Sequence, residues 1–181
     1  MEFIKTTLKD AFIIKPEVFG DKRGFFLESY SKKKFAEAGI KNEFVQDNHS
    51  KSEKKGTLRG LHFQLPPYAQ AKLIRVASGK ILDVIVDLRK NSETFGQWEG
   101  FELSAENFQM LFVPQGFAHG FMTLENNTEV LYKADNFYEP TYEGGIAWND
   151  PNLKINWPIE DLILSERDTK WPMLKNLNNP F

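Results

Sequence analysis

The chain of 181 residues contains three histidines and no cysteine, so its proton chemistry can be weighed one imidazole at a time. His62 stands in Arg59-Gly60-Leu61-His62-Phe63-Gln64. His119 follows a turn, in Pro114-Gln115-Gly116-Phe117-Ala118-His119-Gly120, and enters the apolar pair Phe121-Met122. A neutral imidazole can take a proton near physiological pH and release it again. A histidine considered alone is more often a surface or hydrogen-bonded structural residue, and it is the surroundings of His62 and His119 that single them out. His49 has no such setting and reads as structural. Without cysteine there is no disulfide, no thiolate metal ligand and no thiol nucleophile, which fits a reducing compartment.

Composition narrows the class of function. Apolar residues make up 41% and charged residues 27%, as in an ordinary soluble domain rather than a disordered chain. A net charge of -2 argues against broad binding to nucleic acid or to anionic membranes, though a few arginines could still grip an anionic ligand. The N-terminus, Met1-Glu2-Phe3-Ile4-Lys5-Thr6, lacks a sustained apolar stretch with a small-residue cleavage site. No window reaches the uninterrupted apolar length of a membrane helix. The expectation is a cytoplasmic enzyme.

Strand signals dominate the elements that must position these residues. In 80–88, Leu82, Val84, Val86 and Leu88 fall on one face, and Ile81, Asp83, Ile85 and Asp87 on the other. Leu73-Ile74-Arg75-Val76, Met110-Leu111-Phe112-Val113 and Glu129-Val130-Leu131-Tyr132-Lys133-Ala134 read the same way, with turns at Ser78-Gly79-Lys80 and Pro114-Gln115-Gly116. Closely spaced strands of this kind predict an antiparallel sandwich or barrel. The clearest helix is Ser31 to Ala38, with Ser31 as N-cap and Gly39 as the stop. From Glu139 onward, Pro, Asn and Trp predict ordered loops and short helical turns packed on the barrel. With no repeat and no low-complexity linker, residues 1–181 read as one domain.

Five residues separate Gly56 from His62, and His119 closes a Pro-x-Gly-x2-His segment. At these positions the chain resembles the cupins, whose motifs bring two histidines of a Gly-x5-His-x-His segment, a Glu and a third histidine onto one divalent metal. The implied fold is mostly β, a cupin-type antiparallel β-barrel or jelly roll with a few short helices. The metal set is broken here. Gln64 stands for the second histidine, and Lys72, seven positions before Gly79, stands for the Glu. An ammonium repels a divalent cation and supplies no carboxylate, so no metal is expected. The surviving cavity still has uses: His62 can take a proton, and Lys72 or His119 can stabilise an enolate oxygen.

Seven ordered segments carry a finer resemblance: Arg23-Gly24-Phe25-Phe26-Leu27-Glu28, Gln46-Asp47-Asn48-His49-Ser50, 56–64, Ala71-Lys72-Leu73, 114–121, Leu131-Tyr132-Lys133, and Leu164-Ser165-Glu166-Arg167-Asp168. Across its whole length the chain is similar to the dTDP-4-dehydrorhamnose 3,5-epimerases. That resemblance implies inversion of C3 and C5 of dTDP-4-keto-6-deoxyglucose without a cofactor, in dTDP-L-rhamnose and polysaccharide biosynthesis. It implies His62 as the base, Asp168 as its partner, Lys72 with His119 at the enolate oxygen, and Tyr132 as the acid on the opposite face. Arg59 and Arg167 would hold the diphosphate. Phe19, Arg23, Phe26 and Glu28 would reach the thymidine from the second subunit of a homodimer, and Gln46, Asn48, Tyr138 and Glu143 would line the pocket.

Plain structural readings stand beside these roles. With 16 phenylalanines, Phe19 and Phe26 could be core residues. Arg23 and Arg167 could be surface charges, Glu28 a sheet-edge residue, Asn48 a turn residue, Gln46 a strand residue and Tyr132 a half-buried strand tyrosine. The run 51–55 reads as a solvated turn. Ala147 and Trp171 depart from the family's usual pattern, where a more polar and a smaller residue are expected; both bear on how the C-terminal segment closes over substrate. Some relatives invert one carbon only, or act on a related ketosugar, so a mono-epimerase or ketoisomerase remains an alternative. A metal-dependent cupin and a non-catalytic sugar-nucleotide binder are the readings from other classes.

Overall fold

A computed structural model describes residues 1–179 and 181. In chain order the elements begin with β1 (Glu2–Lys5), β2 (Phe12–Lys15), β3 (Val18–Asp21), β4 (Gly24–Leu27), helix α1 (Lys32–Glu37) and β5 (Gln46–Ser52). They continue with β6 (Leu58–Gln64), β7 (Lys72–Ser78), β8 (Lys80–Asp87), β9 (Trp98–Ser104) and β10 (Met110–Val113). The last strands are β11 (Phe117–Thr123), β12 (Thr128–Ala134) and β13 (Glu143–Gly145). Tight single helical turns lie at Pro140–Tyr142 and Leu174–Asn176.

Two antiparallel sheets face each other. One runs β1-β2-β10-β7-β12-β5, the other β13-β6-β11-β8-β9, and β3 and β4 form a separate hairpin. Ile74, Val76, Leu111 and Val130 of the first sheet meet Ile81, Ile85, Leu103 and Phe121 of the second in a shared core. A fully buried side chain of this size stabilises the fold by about 1.5–3 kcal/mol. This is the antiparallel sandwich expected of the strand pattern and the jelly roll implied by the cupin resemblance, with the site residues set between its walls.

The strand at 80–87 is buried on both faces because both are covered. Ile81 and Ile85 enter the inter-sheet core, while Val84 and Val86 lie under Leu153, Trp157 and Leu177 of the C-terminal coil. On the first sheet, Phe35 of α1 packs on Ile14, Leu73, Met110 and Phe112. Ser31 occupies the N-cap with extended backbone but gives no side-chain cap bond. Gly39 turns the chain away at φ +93°, a conformation that favours glycine.

The pairing of β6 with β11 carries a bulge that matters for the site. His119 is opposite His62 and Phe121 opposite Arg59, so the register slips by one residue between them. Gly60 makes the slip possible. Its φ is +135°, and a Cβ there would come within 2.5 Å of the Gly120 Cα. The two backbones therefore pass closer than any side chain would permit, and His62 and His119 leave this crossing as neighbours.

Candidate active site

A cavity of about 570 Å³ opens between the sheets. From the five-stranded sheet, β6 contributes Arg59, His62 and Gln64, and β11 contributes His119. From the six-stranded sheet come Lys72 on β7, Tyr132 on β12, and Gln46, Asn48 and Ser50 on β5. Tyr138, Glu143, Arg167 and Asp168 join the lining from the C-terminal third. The residues expected for proton transfer, spread along the chain from His62 to Asp168, thus share one enclosure.

His62 and Asp168 touch. His62 Nε2 lies 2.5 Å from Asp168 Oδ1, and Asp168 is only 3% exposed. Its turn is fixed by the Asp168 N–H, which donates to Ser165 Oγ at 3.2 Å. Burial alone would raise the Asp168 pKa, but the bonds from His62 and Ser165 outweigh it and hold the carboxyl below its ordinary range. With Nε2–H donated to a carboxylate, Nδ1 keeps the free lone pair. A charge-assisted bond of this kind fixes both tautomer and ring orientation.

Lys72 sits 6.0 Å above the centre of the Tyr132 ring. Burial lowers its pKa to about 8, against the opposing pull of Asp83 and Glu143. Asp83 was not among the residues singled out by sequence. It is fully buried on β8, on the face it shares with Ile81 and Ile85, and its Oδ1 lies 2.9 Å from His119 Nε2 without hydrogen-bond geometry. A carboxylate midway along an apolar strand face was the available signal, since burying one requires a compensating cation. Asp83 thus lies beside His119, and its charge opposes the effect of burial on Lys72.

Tyr132 is half-buried, and burial raises its pKa above the ordinary tyrosine value. Gln64 is 4% exposed, and its Oε1 accepts the Glu139 N–H at 2.9 Å, so this amide anchors the chain that leads to β13. Among the described residues no three His, Asp or Glu side chains are grouped as a metal site would require.

At the mouth of the cavity, Glu143 Oε2 accepts from Arg167 at 2.5 Å and from the Tyr138 hydroxyl at 3.3 Å. Arg59 donates to Ser52 Oγ and to the Lys51 carbonyl, each at 3.2 Å. Gln46 donates to Asn48 Oδ1 at 3.0 Å and accepts the Tyr138 N–H at 3.0 Å. The two guanidinium groups and these amides suit a polar, anionic ligand.

Four expected ligand residues do not line this cavity. Phe19 (55% exposed), Arg23, Phe26 (69% exposed) and Glu28 lie on or just after the β3–β4 hairpin. Arg23 pairs with Asp21 at 2.6 Å, and Glu28 with Lys34 at 2.8 Å. His49, read as structural, meets Glu129 at 3.1 Å on the outer side of β5.

Comparison with known proteins gives a consistent result. Residues 5–176 match the family model described as dTDP-4-dehydrorhamnose 3,5-epimerase. The chain is 56% identical to the dTDP-4-dehydrorhamnose 3,5-epimerase of Salmonella typhimurium, over 96% of each chain. It is also similar to the crystal structure of the Bacillus anthracis dTDP-4-dehydrorhamnose 3,5-epimerase with TDP and pyrophosphate bound. There the TM-score is 0.93 and the identity 52%, covering 95% of this chain and 98% of that one. A Legionella pneumophila epimerase in complex with dTDP-4-keto-L-rhamnose superposes with a TM-score of 0.94 at 44% identity, covering 98% of this chain and 94% of that one.

Proposed function

The chain belongs to the dTDP-4-dehydrorhamnose 3,5-epimerase family, and on that premise we propose that it inverts C3 and C5 of dTDP-4-keto-6-deoxyglucose through an enolate. The observation that carries this reading is the His62–Asp168 pair on one wall of a cavity whose other wall holds Tyr132 and Lys72. Inversion needs removal of a proton on one face of the sugar and delivery on the other. A single group serving both faces would mostly restore the starting centre.

His62 Nδ1 takes the proton from the carbon beside the C4 ketone, and the C–H electron pair moves into an enolate. Asp168 stabilises the imidazolium that forms. The Lys72 ammonium and His119 stabilise the negative O4. Tyr132, kept protonated by its raised pKa, gives its hydroxyl proton to the opposite face of the same carbon. Return of the proton from imidazolium to tyrosinate through solvent resets the site. The same cycle at the second carbon completes the double inversion, and no cofactor takes part.

Arg59 and Arg167 take the diphosphate in this scheme, with Gln46, Asn48, Tyr138 and Glu143 around the sugar. The exposed aromatics Phe19 and Phe26, with Arg23 and Glu28, serve the thymidine of a second copy's site, which makes the working unit a homodimer. The assignment is favoured by where they stand, as large apolar side chains left exposed mark an interaction surface. Among the described residues no helix is long and apolar enough to cross a membrane. A sugar nucleotide is a cytoplasmic metabolite, and we place the enzyme there.

The test is incubation with dTDP-4-keto-6-deoxyglucose in heavy water, following deuterium at C3 and C5. Incorporation at both carbons is expected. Incorporation at one would reassign the chain as a mono-epimerase, and incorporation at neither would sink the enolate mechanism.

A further inference from the structure

His62 is held on a second side, by a residue that takes no part in the proton transfers. The ring of Trp171 meets the imidazole edge-on, with centroids 6.0 Å apart and planes at 68°. Trp171 follows Asp168 by three positions, and the turn carrying both is tied down. The Lys170 N–H donates to the Arg167 carbonyl, and the Ala147 N–H donates to the Pro172 carbonyl. Gly145, the β13 partner of His62, leaves room for the indole, because a Cβ there would come 2.5 Å from Trp171 Cδ2.

The indole nitrogen is the informative atom. Trp98 and Trp157 each donate their indole N–H to a carbonyl, of Leu153 and Trp148. Trp171 Nε1 is buried and forms no complete hydrogen bond. A buried N–H without a partner is uncommon and asks for a reason. It stands close enough to Asp168 to add, after His62 and Ser165, to the pull that overcomes burial and keeps this carboxyl ionised.

We propose that Trp171 is a positioning residue for the His62–Asp168 pair: its ring edge fixes the imidazole plane, and its indole N–H closes on Asp168 and tempers that carboxylate's draw on His62. The inference rests on the epimerase reading. An Asp168 that accepts a further hydrogen bond is a weaker partner for an imidazolium, so the indole N–H loosens the hold of this carboxylate on the protonated ring. The other titratable and charged groups that share the cavity with His62 are His119 on β11, Lys72 on β7, Tyr132 on β12, Tyr138, Glu143 on β13, Arg59 on β6 and Arg167 on the C-terminal loop. None is altered by changing Trp171, and Trp171 is not part of the cavity lining.

Trp171→Phe retains an aromatic edge and loses the N–H. The acid limb of its kcat/KM profile is expected about half a pH unit higher than in the wild type. Its KM should stay within about twofold. Trp171→Leu, which loses the edge as well, is expected to lower kcat about tenfold at the same KM. An acid limb at the wild-type position in Trp171→Phe, or a loss confined to KM, overturns the proposal. A second measurement needs neither variant nor turnover. The indole N–H resonances of the four tryptophans are followed with pH in the wild type and in Asp168→Asn. One resonance should shift with pH in the wild type and stop doing so in Asp168→Asn; no such resonance also overturns the proposal. A wild type that exchanges no deuterium would sink the epimerase reading and leave this spectroscopic test in force.

Discussion

His62 and Tyr132 enter one cavity from opposite sheets, the first on β6 and the second on β12. On the proposed mechanism, their separation into two walls divides abstraction from delivery, and the two steps should therefore be separable by mutation. His62→Asn is expected to abolish deuterium incorporation from heavy water. Tyr132→Phe should retain incorporation while inversion falls by about a hundredfold. Equal loss of both in Tyr132→Phe would contradict its place as the opposite-face acid.

Asp168→Asn tests the tautomer. An amide can donate to Nε2 and so favour the imidazole form whose Nδ1 is no longer a base. A loss of about 10²–10⁴ in kcat is expected with the fold intact. Stability carries a second signature. The Asp168 carboxyl is held below its ordinary range in the folded chain, so its contribution is present above the unfolded pKa and lost as pH falls through the folded one. The stability gap between wild type and Asp168→Asn, measured by urea unfolding, should shrink below about pH 4. A gap that stays constant down to strong acid would show that the pairing with His62 does not stabilise the fold.

How far the sequence could be read depended on how local the physics was. The period-two pattern of 80–88 marks β8 directly, and the spacing from Gly56 to His62 marks a cupin strand. β13 was not legible, because Glu143-Gly144-Gly145 has no strand pattern. It forms because its glycines let Phe63 and Trp171 press against the backbone, where a Cβ at either position would come within 2.5 Å of a ring atom. The His62–Asp168 contact joins residues 106 positions apart, so no spacing rule reaches it; the family resemblance did. Asp83 lay in plain view on an apolar face, but its meaning depended on which cations the other sheet would bring opposite it. Trp171 read as a departure from the family pattern, and only the fold puts its ring against His62.

Lys72 should set the alkaline limit of the reaction. Its pKa is lowered by burial to about 8, and in the proposed mechanism only the ammonium form would stabilise the enolate. The kcat/KM of the wild type is expected to fall as pH rises through about 8. Lys72→Arg, whose guanidinium stays charged, should retain partial activity with that limb moved beyond the accessible range. An unchanged limb in Lys72→Arg would assign it to another group. The stability sign is opposite to that of a carboxylate. An unfolded lysine titrates near 10.5, so the unfolded chain holds the extra proton between about 8 and 10.5, and the wild type gains stability there as pH rises. Lys72→Met should be the more stable protein below pH 8 and lose that advantage toward pH 10.5.

Asp83 gives the sharpest check on the charge balance of the cavity. It is fully buried, it lies 2.9 Å from His119, and its field raises the Lys72 pKa against burial. Removing one partner of a buried ionic group leaves the others uncompensated, which typically costs about 3–5 kcal/mol. Asp83→Asn keeps the shape and removes the charge, so chemical unfolding should show a loss of about 3 kcal/mol at neutral pH. Burial would then act on Lys72 with less opposition, and the alkaline limb of kcat/KM should move below the wild-type position near 8. An Asp83→Asn enzyme that loses stability but keeps its alkaline limb would make Asp83 a packing residue. A limb that moves down together with the lost stability would show that a carboxylate on β8 keeps the lysine on β7 charged for catalysis.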